Sequence, residues 1–408
     1  MKLKFSSILR NKKFIFYLTE IISKGLNILL IFILPFIIDS RLFSSLSVAL
    51  TFEIVLTGIL IFGQDTYLLR NLIHSNEKRV LIIKSYLMSF MLYGFFLLFS
   101  IIIISLNAGP VGSIINDRLF LLILSCSFAW ALINIKLTFL RVVGFINQYN
   151  KLRLLTSVIK FSLIIFVSLI VNREQAVFFI YTILSFLLLS IFTFLSRKVS
   201  IAELKLSVSN LLKHAKVVSK FGLFIIVGLW IAYYDRAMVS KYLTTSDTSK
   251  FFFNNQIILA SFVIPNLLAL WLMPIAYKFP EQSKKNINRF LVISVVFTLA
   301  YDLIFHFFGV PLIEYRFDNI YLMDNEEYLL IYGLSVVQIV NQYFHFIFVW
   351  KNRISIETYI SVVIFAIIII VFNFLHPVTL FSFMLITLSM SLLQFIISLI
   401  VYVKISRN

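Results

Sequence analysis

Long apolar segments separated by short polar ones run along almost the whole chain. Twelve of these segments hold about 20 mainly apolar residues, the length that an α-helix needs to cross the hydrocarbon core of a bilayer. The segments are continuous rather than alternating with a period of two, which excludes a transmembrane β-barrel. The pattern predicts an all-α polytopic membrane protein with spans at 14–38, 45–69, 81–105, 118–140, 153–171, 176–195, 218–240, 251–277, 290–309, 328–350, 355–375 and 379–403.

The predicted spans fall into two groups of six. The longest gap, 197–217, lies at the middle of the chain and mixes lysines with apolar residues, as an amphipathic helix on a membrane surface does. We therefore predict an N-terminal lobe over 1–196, a cytoplasmic amphipathic linker over 197–217 and a C-terminal lobe over 218–408. Six spans in each lobe give both lobes the same orientation, which is typical of repeats related by an axis along the membrane normal.

The composition of the 408 residues excludes several other classes of protein. Hydrophobic residues make up 61% of the chain and charged residues 13%, whereas soluble domains have about 45–50% and about 25%. The polar side chains are too few to cover a soluble protein of this size, and the chain is too apolar to be disordered. The single cysteine, Cys126, cannot form an intrachain disulfide.

The distribution of charge predicts the orientation. Lysine and arginine number 36, against 18 for aspartate and glutamate. If the N-terminus is cytoplasmic, most basic residues outside the spans fall in cytoplasmic segments, as the positive-inside rule requires. We therefore predict that both termini are cytoplasmic, and we assign the positive charge to topology rather than to nucleic-acid binding. The outer segment between spans nine and ten carries the acids Glu314, Asp318, Asp324, Glu326 and Glu327.

The sequence lacks the motifs of nucleotide hydrolysis and metal binding. It contains no Walker A pattern, and 11 glycines leave little scope for a phosphate-binding loop. The five histidines are scattered rather than set at metal-ligand spacing. The longest outer loop, 310–327, is short for a membrane enzyme of glycan assembly. We predict a translocator rather than an enzyme, with no resident cofactor and no metal.

Ionisable residues inside spans mark candidate functional positions, because each costs about 2.5–3.5 kcal/mol at mid-membrane on insertion scales. In span one, Glu20, Lys24 and Asn27 lie on one helix face. Either Glu20 and Lys24 form an ion pair within the helix, or this face lines a water-filled cavity; we favour the cavity. In span two, Glu53 and Gln64 are predicted to share a face.

Two spans of the C-terminal lobe carry further polar candidates. Asp302 lies at mid-membrane in span nine, where it either couples transport to protons or sodium ions or acts as a hydrogen-bonded structural acid. Span ten carries a polar stripe that either lines the cavity or joins helices by hydrogen bonds, formed by Gln338, Asn341, Gln342 and His345.

Four basic residues lie towards the predicted cytoplasmic ends of spans two, four and five. They either snorkel to the membrane surface or form a positive funnel for an anionic substrate. Lys160 is the least easily explained by snorkelling, since it lies about 10 Å into its span by helical rise. The four are Arg70, Lys136, Arg141 and Lys160.

Three segments resemble the Wzx O-antigen flippases of the polysaccharide transporter family. Residues 43–70 resemble the second span of that family, with Phe62, Gly63 and Arg70 at its characteristic positions, and 139–153 is similar to its basic inner loop. Residues 235–253, which begin with Asp235 and Arg236, resemble its seventh span and outer turn. The chain departs from the family at 250–253, where Lys-Phe-Phe-Phe stands in place of Gly-x-Tyr.

This resemblance implies a fold and a function. The fold would be a MATE-like, V-shaped arrangement of two six-helix lobes. The cargo would be a short oligosaccharide on undecaprenyl pyrophosphate, moved across the bacterial inner membrane by alternating access. The pyrophosphate would be bound by cavity cations, and Asp235 would join the polar cavity residues; the cations are Lys24, Arg70, Arg141, Lys160 and Arg236.

The same interpretation specifies partners and alternatives. The expected partners are the lipid-linked oligosaccharide, membrane lipids, a polysaccharide polymerase and the chain-length machinery, with no nucleic acid. The principal alternative is a multidrug or small-cation exporter of the same fold, whose binding site would be dominated by acids. A membrane enzyme of glycan assembly is a weaker alternative.

Overall fold

A computed structural model describes most of the chain and is all-helical over the part it describes. Within the described residues, eleven helical segments are long and apolar enough to cross a membrane. The prediction of an all-α polytopic membrane protein is therefore confirmed. The tenth predicted span, 328–350, is also helical, although its polar stripe lowers its hydropathy. The described residues are 12–72, 77–105, 117–171, 175–196, 208–278, 280–317, 320–351 and 353–407.

Fifteen α-helices, with a 3₁₀ turn and a π turn, account for the described spans. The first seven are α1 Lys12–Ile37, α2 Ser40–Ile61, α3 Gln64–Asn71, α4 Lys78–Ser105, α5 Asp117–Val143, α6 Ile146–Ile170 and α7 Gln175–Ser196. The remaining eight are α8 Val208–Tyr242, α9 Thr245–Leu259, α10 Val263–Lys278, α11 Pro280–Ile304, α12 Val310–Phe317, α13 Asn325–Trp350, α14 Ile354–Leu375 and α15 Leu380–Arg407.

Span two is not the single helix that the sequence predicts. Helix α2 ends at Ile61 and α3 begins at Gln64, because Phe62 and Gly63 both have positive φ, 49° and 72°. A left-handed conformation costs an ordinary L-residue such as Phe62 about 1–2 kcal/mol, whereas glycine adopts it freely. The break changes the direction in which Gln64 and the residues after it project.

Span eight is interrupted close to the first of its two prolines. Helix α9 ends at Leu259, a 3₁₀ turn covers Ala260–Phe262, and α10 begins at Val263. Pro265 has no N–H to donate to the carbonyl of Ser261, so a regular α-helix cannot continue through this point. The interruption lies one turn before this proline.

Two predicted connections contain helix. The predicted outer loop 310–327 is helical as far as Phe317, since α11 continues through a π turn at Phe305–Gly309 into α12. In the predicted linker, residues from Val208 onward are helical and continuous with span seven in α8. Residues 197–207 of that linker lie outside the described residues.

The helices pack into two compact units, Met1–Tyr233 and Tyr234–Asn408. In the first unit α5 is central, and Ala129, Leu132 and Ile133 are fully buried on it. In the second unit, Phe251 and Phe252 are fully buried, and Phe251 packs against Phe383. The division into lobes on either side of 197–217 remains a prediction.

Candidate functional site

A charge cluster lies between α1 and α6 in the first unit. Tyr149 on α6 donates a hydrogen bond from its hydroxyl to Oε1 of Glu20 on α1. The Nε of Arg153 lies 3.4 Å from the same carboxylate oxygen. Glu20 is 3% exposed. The carboxylate is therefore held by the neighbouring helix rather than by a residue of its own helix.

Lys24 belongs to this cluster but has no close counter-ion among the described residues. It lies within electrostatic range of Glu20 and of Arg153, yet Glu20 forms its close ion pair with Arg153. The self-neutralising pair within α1, one of the two alternatives from the sequence, is not formed. Asn27, on the predicted face, is exposed, whereas Ser23 is buried.

Two further charges adjoin the cluster at the ends of α3 and α5. Asp65 accepts a hydrogen bond from the backbone N–H of Thr66 at 2.8 Å and interacts electrostatically with Arg141. Arg141 in turn lies within electrostatic range of Tyr149. The arginine therefore interacts with the start of α3 and also with α6, the helix whose Tyr149 binds Glu20.

The described charges of this region sum to a positive excess. Lys24, Arg141 and Arg153 supply three positive charges, while Glu20 and Asp65 supply at most two negative ones. A net positive charge on membrane-spanning helices is costly unless it is hydrated or meets an anion. We define these five residues as the basic cluster.

A second ion pair joins α2 to α6 in the first unit. The Nζ of Lys160 lies 2.5 Å from Oε1 of Glu53. The same ammonium lies 5.5 Å from the ring centroid of Trp130 on α5. Glu53 is also within electrostatic range of Cys126 and Tyr181, and both of those side chains are fully buried. Lys160 therefore does not snorkel; it pairs with an acid.

Gln64 is directed away from this ion pair by the break in span two. Its Oε1 lies 3.1 Å from Nε2 of His214 on α8. The ring of Tyr67 packs edge-on against the same imidazole, with ring centroids 4.9 Å apart. Burial, with a contribution from the charge of Lys84, lowers the pKa of His214 to about 4. The prediction that Glu53 and Gln64 share a face is wrong, because α2 and α3 are separate helices.

In the second unit, Asp302 is a buried acid held by a hydroxyl. Ser335 on α13 donates a hydrogen bond to Oδ2 of Asp302 at 2.7 Å. The other oxygen, Oδ1, is buried and has no hydrogen-bond partner among the described residues. One turn further along, the hydroxyl of Tyr332 lies 3.4 Å from Nδ1 of His306.

Two residues of the polar stripe of span ten join neighbouring helices by hydrogen bonds. Asn341 donates to the carbonyl of Ser391 at 3.0 Å, and Gln342 donates to Oδ1 of Asn266 at 2.9 Å. Gln338 is half-buried. These bonds match the packing alternative for Asn341 and Gln342.

The remaining candidates lie on α3, α8 and α13. Asp235 and Arg236 are both buried, and the backbone N–H of Arg236 donates to Oδ1 of Asp235 at 2.7 Å. The side chains of Arg70 and His345 lie outside the part of the chain that the structure describes.

Sequence reasoning did not single out several residues that the structure brings into these sites. Tyr149 and Arg153 lie within a predicted basic inner loop, and their pairing with Glu20 joins residues more than 120 positions apart. Trp130 and Tyr181 lie in apolar segments where nothing marks them. Only the basic character of 139–153 gives a signal that could have led to Arg153.

Comparison with known proteins identifies the fold. No family model matches the chain, and no curated protein sequence matches it significantly. Solved structures do match. A multidrug resistance MATE family transporter of the MOP superfamily in an outward-facing conformation is 13% identical, with a TM-score of 0.67 over 98% of this chain and 97% of that one. An inward-facing MATE structure is 10% identical, with a TM-score of 0.65 over 95% and 96%.

A third structure is a MOP superfamily transporter from Pyrococcus furiosus, in which reverse polarity of the binding pocket suggests a different function. It is 12% identical, with a TM-score of 0.60 over 95% of this chain and 94% of that one. The chain therefore has the fold of the MATE transporters of the MOP superfamily, and the expected MATE-like helix arrangement is confirmed at the level of fold.

Proposed function

We propose that this protein is a flippase that moves an oligosaccharide on undecaprenyl pyrophosphate across the bacterial inner membrane by alternating access. The MATE fold supports transport by a multi-pass membrane protein. The observation that carries the proposal is the positive excess of the basic cluster, in which Lys24 has no close counter-ion among the described residues.

The chemistry of the basic cluster suits a pyrophosphate better than a cation. Ammonium and guanidinium groups form their strongest hydrogen bonds with phosphate oxygens. Arg153 offers a planar fork and Lys24 a compact charge, so together they can neutralise an anionic group. In this proposal, further positive charges that bind the pyrophosphate during transport are supplied by Arg70, Lys160 and Arg236. The lipid tail of the cargo stays in the bilayer.

The sign of the charge separates this function from its principal alternative. A cation exporter requires acids that are not already neutralised, and in the described part of the first unit Glu20 and Glu53 each have a basic partner. In the Pyrococcus furiosus transporter, reversed polarity of the pocket suggests a different function. We extend that reasoning to this chain, whose basic cluster favours an anionic cargo.

Asp302 is the site that we assign to ion coupling. It is 3% exposed, its Oδ1 lacks a hydrogen-bond partner among the described residues, and Ser335 holds its other oxygen. A buried carboxylate with a free oxygen attracts a proton or a sodium ion. The same observation favours the cation exporter as a second candidate, with Asp302 as the site for an organic cation.

One transport experiment separates the two functions. Purified protein in proteoliposomes is given a fluorescent undecaprenyl-pyrophosphate-linked saccharide, and flipping is measured by access of a membrane-impermeant quencher. Efflux of ethidium is measured in the same vesicles. We expect flipping without ethidium efflux, and loss of flipping in Lys24→Ala. Ethidium efflux without flipping would establish the exporter instead.

The proposed cellular role has its own test. Deletion of the gene is expected to trap lipid-linked repeat units in the cytoplasmic leaflet and to abolish the surface polysaccharide. In this role the protein hands its cargo to a polymerase and to the chain-length machinery. Normal surface polymer in a deletion strain that contains no second transporter of this class would contradict the proposal.

A further inference from the structure

The ion pair between Glu53 and Lys160 has unequal partners. The side chain of Glu53 is 4% exposed, while that of Lys160 is 14% exposed. Lys160 also lies over the ring of Trp130, so its ammonium is held from two sides. The lysine is therefore the partner that a ligand can reach, and the glutamate is the partner enclosed by protein.

Several polar groups around this pair lack partners. The second carboxylate oxygen of Glu53, Oε2, is buried without a hydrogen bond among the described residues, as is the indole N–H of Trp130. The hydroxyl of Tyr181 lies beside Glu53 and interacts with its carboxylate. A pair that served only as scaffold would be expected to have these groups satisfied, since an unmet buried donor or acceptor is costly.

The donors that remain unused around this ion pair suit an anion. The indole of Trp130 can donate only, and the ammonium of Lys160 has three donors, of which Glu53 uses one. An anionic oxygen at this position would satisfy the lysine, whose ammonium lies 5.5 Å from the centroid of the tryptophan ring. Glu53 is then a competitor for the same ammonium.

The energetics of buried ion pairs make such an exchange feasible. Desolvation of two charges nearly cancels their attraction, so a buried pair contributes little net stability. Removing the lysine from Glu53 would nevertheless leave a bare buried carboxylate, which is strongly unfavourable. A proton from solvent can neutralise it, and the resulting carboxyl O–H has the hydroxyl of Tyr181 as a neighbour.

We propose that Glu53 is a built-in counter-ion that holds Lys160 in the ligand-free protein and is displaced from it, with uptake of one proton, when an anionic phosphate group binds. This inference rests on the proposed function, because it takes the cargo to be anionic. Charge is conserved in the exchange: the ammonium passes from the carboxylate to the phosphate oxygen, and a solvent proton neutralises the carboxylate.

Among the described titratable groups that face Glu53, Lys160 carries the charge. Among the described residues, the titratable side chains that interact with it are Lys160 from α6, Cys126 from α5 and Tyr181 from α7. The thiol and the phenol are fully buried and uncharged when protonated. An anion at Lys160 would therefore uncover Glu53 as the acid that needs a new partner.

Binding of inorganic pyrophosphate to the full chain in lipid nanodiscs tests the exchange. Titration calorimetry at pH 8 is expected to show that Glu53→Gln binds about tenfold more tightly than wild type, because the competitor is gone. The same titration in buffers of different ionisation enthalpy should show uptake of one proton on binding by the wild type and none by Glu53→Gln. Comparison of the two proteins in the same buffers cancels the titration of pyrophosphate itself.

Three further variants make the result specific. Glu314→Gln, which removes an exposed acid of the second unit, should bind as wild type does. Lys160→Met should bind weakly, and the double variant Glu53→Gln with Lys160→Met should bind no more tightly than Lys160→Met. If Glu53→Gln does not fold, Glu53→Asp lengthens the ion pair and should also tighten binding.

The outcomes separate this inference from the proposed function. Equal or weaker binding by Glu53→Gln at pH 8, or a gain that persists without Lys160, would show that the pair is scaffold. If the affinities change as expected and the wild type fails to flip the lipid-linked saccharide, the counter-ion exchange stands and the proposed cargo is wrong.

Discussion

The ring of Phe62 lies so close to the α-carbon of Gly222 that a methyl group on Gly222 would come within 2.7 Å of it. On the other side of the same contact, a methyl group on Gly63 would lie 2.6 Å from the backbone nitrogen of Gly222. The break between α2 and α3 therefore fits against α8 without room for another carbon atom. The hydrogen bond between Gln64 and His214 lies at the same junction.

Gly222→Ala should destabilise this junction. Overpacking by one methyl group typically costs about 1–3 kcal/mol, which should appear as a lower melting temperature of the purified protein and as slower transport. Gly228→Ala is the matched control on the same helix, because nothing lies within 4 Å of its added carbon. Equal melting temperatures for the two variants would mean that α8 does not pack against Phe62 in this way.

Lys24 should be required for transport and not for folding. Because Arg153 and Tyr149 already hold Glu20, Lys24→Ala is expected to insert and melt as wild type does while flipping falls at least tenfold. Lys24→Arg should keep part of the activity, since the charge is retained. The assay is flipping of the lipid-linked saccharide in proteoliposomes, normalised to the amount of inserted protein.

The double variant Glu20→Gln with Lys24→Ala gives the decisive comparison. If Lys24 served only to balance Glu20, removing both charges would restore function. We expect the double variant to stay inactive. Full activity at wild-type expression would assign Lys24 to scaffolding and would remove the main support for an anionic cargo.

The stability of the α3–α8 junction should depend on pH through His214. Its pKa of about 4 lies below the ordinary value of about 6.5 for histidine. The neutral imidazole is thus favoured in the folded protein, so its contribution is present above about pH 6.5 and is lost as pH falls towards 4. His214→Gln should melt with a weaker pH dependence over this range than wild type, while His376→Asn, which alters an exposed histidine, should melt as wild type does.

The predicted orientation can be tested with single cysteines. The native Cys126 is fully buried and should not react. Cysteines in place of Asp247 or Asn325 should be labelled by an impermeant thiol reagent applied to the outer face of the membrane. Cysteines at the exposed positions Gln148 and Lys151 should be labelled only after permeabilisation. The reverse pattern would place both termini outside.

Asp302→Asn should uncouple transport from its driving ion. The amide cannot accept a proton and carries no charge for sodium, so flipping should no longer respond to an imposed proton or sodium gradient. Asp324→Asn, at an exposed position of the same unit, is the control. A gradient response retained in Asp302→Asn, in protein with a wild-type melting temperature, would make Asp302 a structural acid.

The spans could be predicted because their signal is local. In lipid, the backbone N–H and C=O groups of an apolar run of about 20 residues must form hydrogen bonds with one another, whatever segments pack beside the run. The position of Lys160 is similarly informative, since a lysine that deep in a span needs a partner. The sequence does not reveal that the partner is Glu53, because the two residues are 107 positions apart.

The geometry of the site depends on features that periodicity does not encode. Helical spacing puts Glu53 and Gln64 on one face only if the helix is unbroken, and Phe62 gives no warning of a left-handed conformation. Spacing also allows Glu20 to pair with Lys24 in its own helix, whereas Tyr149 and Arg153 reach it from α6. Such competition between near and distant partners is decided by tertiary packing.

The π turn at Phe305–Gly309 has a consequence for how span nine tolerates deletions. A π turn holds one residue more than a regular helical turn. Removing one of the exposed residues Phe307 or Phe308 would leave a regular α-helix, with Asp302 and Ile313 still facing the interior. A relative that is one residue shorter here would therefore keep the same inward face, and an alignment gap between those two positions would mark the turn rather than a change of fold.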